Sequence, residues 1–212
     1  MLSDISYCEN MPHIIFSQPI NLISSLAFLV VALMLFFELK KTNKLNIQFK
    51  ILIILIGSIG IGSILRHLYP NNTTIYFDVL PIVIFSWTFA YYLMLKIMKN
   101  KKHSLIGLGA LLIYISLCSI ILRNYFYSKF INGAYEYLSL ILLFIFILVY
   151  FYFKKLSFFK DLLILAILFT ISIFFRQIDL AICNTRTLGT HFIWHIINAT
   201  TMYFAIKLFI RE

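Results

Sequence analysis

The chain has 212 residues, of which 62% are hydrophobic and only 12% charged, and its formal net charge is +10. An ordinary soluble domain has roughly 25% charged residues, so this composition excludes that class and predicts a membrane-embedded protein. The Lys and Arg residues fall mostly between hydrophobic runs, so their excess reflects membrane topology and does not indicate a nucleic-acid partner.

A polar N-terminal segment, residues 1–20, precedes the first hydrophobic run. It contains Asp4, Cys8, Glu9 and His13 but no Lys or Arg, which makes it the acidic patch of a basic protein. We expect this segment to lie outside the membrane and to cover the outer mouth of the protein.

Seven apolar runs are long enough to cross a bilayer, which takes about 20 residues. They cover residues 21–38, 49–67, 78–97, 104–122, 136–153, 161–175 and 190–208. The first run is not a secretory signal, because no basic residue precedes it and Lys40 and Lys41 follow it. The sixth run is the shortest and leaves a count of six open. We predict an all-α membrane protein, a seven-transmembrane helix bundle that forms a single domain over residues 1–212.

The basic residues predict the orientation of the bundle. Most of the 18 Lys and Arg residues lie after the first, third and fifth runs and at the C-terminus. By the positive-inside rule, these connections face the cytoplasm. The N-terminus is therefore predicted outside and the C-terminus in the cytoplasm.

The second run ends in small and polar residues. An ionisable residue in a membrane span is costly, and by default it indicates a functional site facing the bundle interior. Gly57, Gly60, Ser63 and His67 share one side of a helix because they are three or four residues apart. Small residues there permit close helix approach. Because this run leads outward, His67 is predicted near the outer face.

The third and seventh runs begin at the same outer face. Asp78 is expected as the first or second helical residue of the third run. His191 and His195, at the start of the seventh run, are four residues apart on one helical face, which Asn198 continues. Three imidazoles, a carboxylate and the Ser63 hydroxyl are therefore predicted to converge at one depth.

Each of these residues also has an ordinary structural explanation: Asp78 could cap a helix, and Ser63 could bond back to its own helix. Their convergence favours a metal site. Three neutral imidazoles leave a fourth tetrahedral position open, the pattern of catalytic zinc, which lowers the pKa of a bound water to about 7. Asp78 is the candidate base, Ser63 the candidate donor to an oxyanion, and hydrolysis the predicted reaction.

Two of the three cysteines, Cys8 and Cys183, fall on the predicted outer side, where disulfides can form. The sequence does not show whether their Cα atoms come within about 7 Å. A disulfide and a pair of separate buried thiols therefore both stay open.

Several short motifs together resemble the alkaline ceramidase family, within the superfamily of seven-helix hydrolases that also includes the adiponectin-receptor-like proteins. The resemblance extends over most of the chain. It is carried by Tyr7-Cys8-Glu9-Asn10, Gln18-Pro19-Ile20-Asn21-Leu22-Ile23-Ser24-Ser25, Gly60-Ile61-Gly62-Ser63 with His67, Asp78, Asp179, Cys183, and Thr190-His191-Phe192-Ile193-Trp194-His195.

The resemblance implies a zinc-dependent intramembrane amidohydrolase. Such an enzyme cleaves the N-acyl bond of ceramide or a related N-acyl lipid to a sphingoid base and a fatty acid. Carried over to this chain, His67, His191 and His195 would hold zinc, Asp78 would act on the metal-bound water, and Ser63 would assist at the carbonyl.

The resemblance also favours a disulfide between Cys8 and Cys183. The short chain suggests a bacterial member in the inner membrane, with the site toward the periplasmic or extracellular face.

The N-terminal segment departs from the eukaryotic members, in which an acidic, Trp-containing loop binds calcium. This chain has Ser6 and Tyr7 in place of Asp-Trp, and Gln18 in place of Glu. Calcium takes six to eight oxygen ligands, and Glu9 with Asn10 offers too few, so we do not expect calcium here.

The main alternative is a seven-helix, zinc-containing lipid receptor or sensor of the adiponectin-receptor type with little or no turnover. A rhodopsin-like receptor is disfavoured because Lys207 lies at the inner end of the seventh run. A proton-coupled transporter would place its polar groups at the midplane and repeat its broken helices, whereas here the polar groups lie near one face.

Overall fold

The structure is a computed structural model that describes residues 7–10, 17–125 and 158–210 and short stretches of residues 141–153. The described part is helical and contains no strand. Its long helices are α1 (Pro19–Lys41), α2 (Ile47–Leu68), α3 (Thr74–Met98), α4 (Lys101–Tyr125), α5 (Phe159–Ile178) and α6 (His191–Ile210). A short 3-10 turn, Leu180–Ile182, precedes α6, and the described residues within 141–153 are also helical.

These six helices are long and apolar enough to cross a membrane, which confirms an all-helical protein with several membrane-spanning helices. The shortest predicted run, residues 161–175, is part of a 20-residue helix, α5. This helix extends past Lys160 and Arg176, the charged residues that bound the run in the sequence. Most of the predicted fifth run, 136–153, lies outside the described residues. The count of seven and the orientation of the termini therefore stay predictions.

The start of α3 corrects one expectation about Asp78. The helix begins at Thr74, one turn earlier than expected, so Asp78 neither opens nor caps it. The reason is the preceding turn: the side-chain oxygen of Asn71 accepts hydrogen bonds from the backbone N–H groups of Thr73 and Thr74. This bonding is typical of an asparagine that starts a helix, and it leaves the Asp78 carboxylate available inside the bundle.

The core lies where α2 packs against α1 and α3, and where α6 packs against α1 and α5. Fully buried side chains at these contacts include Phe28, Leu35, Leu52, Ile56 and Ile206. Large apolar side chains also cover the outside, among them Ile54 at 67% exposure and Phe37 at 63%. An apolar surface of this kind is expected where lipid rather than water surrounds the helices.

At the end of the bundle opposite the histidines, polar contacts join α1 to α6. Lys207 forms an ion pair with Glu38, and the Tyr203 hydroxyl donates to the same carboxylate at 3.1 Å. A charged pair inside a membrane span is tolerated when the partners neutralise each other. This contact fixes the position of α6 along the axis of α1. It therefore also fixes which residues of the two helices meet at the histidine end.

Two of the three glycines in the second half of α2 lie at close helix contacts. A Cβ added to Gly62 would overlap the backbone carbonyl oxygen of Phe77 in α3, and one added to Gly60 would press on Phe28 and Leu29 of α1. A Cβ at Gly57 would meet nothing within 4 Å, so this glycine does not mark a close approach. Gly62 is the glycine that lets α3 bring Asp78 beside Ser63.

We expect Gly62→Ala to destabilise the protein by about 1–3 kcal/mol, because backbone atoms of α3 cannot move aside as a side chain could. The measurement is thermal unfolding in detergent. Gly57→Ala, on the same helix, is the matched control and should be neutral or stabilising, since alanine favours a helix by about 1 kcal/mol over glycine. Equal stability of the two variants would contradict the close approach.

Candidate metal centre

The three predicted histidines meet at one end of the bundle. His67 lies in the last turn of α2, and His191 and His195 occupy the first two turns of α6. All three side chains are buried, and one ring nitrogen from each lies within 4.8 Å of the others. The Nε2 atoms of His67 and His195 are 3.2 Å apart.

Hydrogen bonds to the other nitrogen fix the protonation of two of these rings. The side-chain oxygen of Gln18 lies 2.5 Å from His67 Nδ1, so His67 Nδ1 carries the proton and donates it. Ser24 Oγ lies 2.7 Å from His195 Nδ1, but its own proton goes to the carbonyl oxygen of Asn21. Ser24 therefore accepts from His195, and both histidines are left with a lone pair on Nε2.

Two Nε2 lone pairs facing each other at 3.2 Å repel unless a cation lies between them. Nitrogen ligands about 2.0–2.1 Å from a tetrahedral zinc ion are about 3.3 Å apart, close to the observed separation. Both nitrogens of His191 are buried without a hydrogen-bond partner among the described residues. Buried polar groups are rarely left without a hydrogen-bond partner. The ring nitrogens of the three histidines therefore fit a metal ion.

Asp78 and Ser63, the predicted base and oxyanion donor, lie beside this cluster. Asp78 is buried, and its Oδ1 has no hydrogen-bond partner in the described part of the chain. The Ser63 hydroxyl bonds to the Asp78 carboxylate, lies 3.3 Å from His195 Nε2, and accepts from Ser25 at 3.0 Å. These partners come from other helices, so Ser63 does not serve merely to bond its own helix.

An apolar cavity of about 160 Å³ lies between α3, α5 and α6, and Trp194, the neighbour of His195 in the chain, is part of its lining. Its polar groups include Trp194, Asn198 and Thr201, and Asn198 continues the helical face of the two histidines as expected. The rest of its lining is mainly apolar and includes Phe85, Phe89, Leu93, Leu165, Phe169, Met202 and Ala205. The cavity therefore comes near the histidine cluster at Trp194 and Asn198, while none of the three histidines is part of its lining.

Asp179 holds the first turn of α6, which carries His191 and His195. Its Oδ1 accepts the backbone N–H groups of Thr190 and His191 at 2.6 and 2.8 Å, and its Oδ2 accepts the N–H of Cys8 at 2.9 Å. A carboxylate at a helix N-terminus satisfies otherwise unpaired N–H groups and favours the helix dipole. Gly189 has a φ of +61°, and any side chain there would overlap Asp179 and Cys8, so the tight turn requires glycine.

The N-terminal segment is fastened to the same end of the bundle. Cys8 and Cys183 form a disulfide with their Cα atoms 5.2 Å apart, so of the two open alternatives the structure has the bridge. Glu9 is buried and accepts the backbone N–H groups of Ile20 and Asn21 at 2.8 Å each, which caps α1. Residues 7–10 thus lie over this end of the bundle, and the location of the segment outside the membrane stays a prediction.

Tyr7, just before the disulfide, covers the histidine cluster. Its ring centroid is 4.0 Å from that of His191 and 5.1 Å from that of His67. Burial raises the pKa of the Tyr7 phenol above its usual value, and the negative charge of Asp78 adds to the shift. Tyr7 is therefore neutral at physiological pH.

Analysis of the residue pattern alone did not identify Gln18, Ser24, Tyr7 and Trp194 as parts of this centre. A signal for Ser24 existed, because Asn21, Ser24 and Ser25 are polar residues three or four apart at the start of an apolar span. Gln18 and Tyr7 lie in loops, where periodicity carries no information about tertiary contacts.

The chain matches a known protein family over its length. The family model described as Ceramidase matches residues 1–211, which is the whole chain apart from its last residue. Among curated proteins, no sequence matches the chain.

We expect Asp179→Ala to lower the melting temperature in detergent, because three backbone N–H groups at once lose their acceptor. A lost N-cap typically costs about 0.5–2 kcal/mol, and the unpaired buried N–H groups add to it. Asp179→Asn keeps one oxygen acceptor and should fall between wild type and Asp179→Ala. A melting temperature equal to wild type in Asp179→Ala would show that these bonds do not hold the helix.

Proposed function

Because the chain belongs to the ceramidase family, we propose that it is a zinc-dependent amide hydrolase of the membrane. The family supports a ceramide-hydrolysing function and a lipid substrate. In our proposal the enzyme cleaves the N-acyl bond of ceramide or a related N-acyl lipid to a sphingoid base and a fatty acid. The observation that supports the metal-dependent part is the buried cluster of His67, His191 and His195.

The donor set favours zinc over calcium and magnesium. Neutral imidazoles suit zinc, whereas calcium and magnesium prefer oxygen ligands. In the N-terminal segment, both carboxylate oxygens of Glu9 already accept backbone N–H groups. This supports the expectation that the segment does not bind calcium.

The proposed chemistry divides into what zinc supplies and what the side chains do. Zinc, when held by the three histidines, supplies Lewis-acid chemistry that lowers the pKa of a coordinated water to about 7 and polarises a carbonyl. Asp78 accepts the proton of the attacking water on its carboxylate and returns it to the amide nitrogen as the carbon–nitrogen bond breaks. The products are then a free amine and a fatty acid.

Ser63 acts at the substrate oxygen in this proposal. As the water oxygen attacks the carbonyl carbon, negative charge builds on the carbonyl oxygen, and a hydroxyl donor placed there lowers the barrier. In the structure the Ser63 hydroxyl donates to the Asp78 carboxylate, and in this proposal it turns to the substrate oxygen when a substrate binds. Ser25 Oγ lies 3.0 Å from Ser63 Oγ and helps to hold the Ser63 side chain in place.

The cavity supports a substrate with a hydrocarbon chain. Its mainly apolar lining suits acyl chains, and the polar side chains in that lining are Ser86, Trp194, Asn198 and Thr201. The indole N–H of Trp194 is buried and has no acceptor among the described residues. We assign it to an oxygen of the lipid head group, because a buried donor without a partner is costly.

The end of the bundle that carries the histidines is proposed to face outward, in the seven-helix topology with the N-terminus outside. The disulfide Cys8–Cys183 lies at this end, and disulfides persist in oxidising compartments. Lys40, Lys41 and Lys99 lie at the opposite end, where the positive-inside rule places the cytoplasm. A bacterial inner membrane with the site on its periplasmic side would fit this arrangement.

A lipid receptor with little turnover would share the histidine cluster. It would not need a buried carboxylate oxygen without a partner beside that cluster, which Asp78 provides. This observation favours the hydrolase.

Asp78→Asn should keep zinc but lower hydrolysis by about 10²- to 10⁴-fold, the usual contribution of general acid–base catalysis. His195→Ala should lose zinc and hydrolysis together. The measurements are zinc per protein by elemental mass spectrometry and fatty-acid release from ceramide in detergent micelles. Asp161→Asn, at the start of α5 and away from the cluster, is the matched control and should resemble wild type. Normal turnover in Asp78→Asn, or full zinc content in His195→Ala, would contradict the proposal.

Ala205→Phe should shift the enzyme toward shorter acyl chains. Ala205 lies on the cavity wall ten residues after His195, about 15 Å along α6, so a phenyl ring would fill the inner part of the cavity. We expect kcat/KM for long-chain substrates to fall by roughly 10- to 200-fold per excluded methylene group, the discrimination an apolar pocket achieves. Ile196→Phe, on the exposed face of the same helix, is the control. An unchanged chain-length profile in Ala205→Phe would show that the acyl chain binds elsewhere.

A further inference from the structure

His191 is held differently from the other two histidines. His67 donates to Gln18 and His195 donates to Ser24, whereas neither nitrogen of His191 has a hydrogen-bond partner among the described residues. Metal-binding histidines usually donate their second ring N–H to an oriented partner, which sets the ring plane. Some other contact must therefore set the plane of His191.

Two aromatic rings lie parallel to the His191 imidazole. The Tyr7 centroid is 4.0 Å away with 30° between the planes, and the Trp194 centroid is 5.0 Å away with 14° between the planes. Within the described residues no ring contact joins Tyr7 to Trp194, so the two rings contact different sides of His191 and do not stack on each other.

The position of Tyr7 is tied to the backbone of His191. The N–H of Cys8, the next residue, and the N–H of His191 are both accepted by the carboxylate of Asp179. The disulfide to Cys183 adds a covalent link. Tyr7 therefore belongs to a strap, residues 7–10, whose backbone is fixed to the first turn of α6, and this holds the Tyr7 side chain close to His191.

We propose that Tyr7 and Trp194 are positioning residues that clamp His191 between their rings and so fix the imidazole plane for metal binding. The inference rests on the proposed zinc site. Stacking restrains the faces of the ring and leaves both nitrogens at its edge, so the ligand is oriented without using a nitrogen. The N-terminal segment is then a structural part of the metal centre as well as its cover.

The expected effect is on metal affinity, independently of hydrolysis. An aromatic pair contributes enough to change a binding constant by roughly two- to tenfold, and removing groups that orient metal ligands typically costs 10- to 100-fold in affinity. Tyr7→Leu and Trp194→Leu should each weaken zinc binding by about tenfold. Tyr7→Phe and Trp194→Phe keep a ring on each face and should stay close to wild type.

The test is the zinc dissociation constant of the full chain in detergent, measured by competition with a chromophoric chelator. Tyr69→Leu is the matched control, because Tyr69 lies near the same mouth with its side chain 62% exposed, and its zinc affinity should be unchanged. The absorption spectrum of the cobalt-loaded protein adds a second readout, since it reports the ligand geometry directly and should change in the Leu variants but not in the Phe variants.

Wild-type affinity in either Leu variant would overturn the two-sided clamp while leaving the zinc site intact. Equal losses in Tyr7→Phe and Tyr7→Leu would also overturn it, because the hydroxyl rather than the ring would then be responsible. Wild-type protein that binds no zinc would overturn the proposed function and this inference together. Trp194→Leu leaves the N-terminal strap untouched, so it tests the clamp even if Tyr7→Leu perturbs the strap.

Discussion

Inside a membrane no water is present to satisfy a buried polar group, so each one must find its partner within the protein. The end of this bundle that carries the histidines is arranged around that constraint. Gln18 and Ser24 take the Nδ1 protons of His67 and His195, Ser25 bonds to Ser63, and carboxylates cap α1 and α6. The atoms left without partners are then informative, because they include Asp78 Oδ1, both nitrogens of His191 and the Trp194 indole N–H. These three residues belong to the histidine cluster or lie beside it, where a metal ion, a water molecule and a substrate would meet.

Residues 7–10 of the N-terminal segment also supply partners for buried polar groups, although these residues belong to no helix. Glu9 and Asp179 each supply a buried carboxylate to the first turn of a helix, and each links that helix to a distant part of the chain. The disulfide fastens the segment at one further point. Since α6 carries two of the three histidines, its first turn must be fixed before a metal ion can be held with defined geometry. The strap therefore stabilises the site itself and does more than exclude solvent.

The two ends of the bundle have different tasks. At the far end, the Glu38–Lys207 ion pair holds α1 and α6 in register, and Lys44 donates to the last carbonyl of α6. In the proposed function, the histidine end would hold the chemistry, and the apolar cavity between the two ends would accept the hydrocarbon part of a lipid. This division suits an enzyme of the ceramidase family, whose substrate has a reactive amide at the end of long apolar chains.

The sequence by itself determined the class of the protein and the candidate metal ligands. Apolar runs and their flanking lysines are properties of composition along the chain, and the spacing of His191 and His195 follows from the helix repeat. The motifs also identified the family, which the whole-length match confirms. Only the tertiary structure decided three further features. Asp78 follows a full turn of helix started by Asn71, and Gly62 rather than Gly57 is the site of close approach between helices. Four residues that the pattern did not identify surround the histidines: Gln18, Ser24, Tyr7 and Trp194. The physical reason is that periodicity shows which face of a helix a residue occupies, whereas contacts between helices and loops depend on how segments distant in sequence pack together.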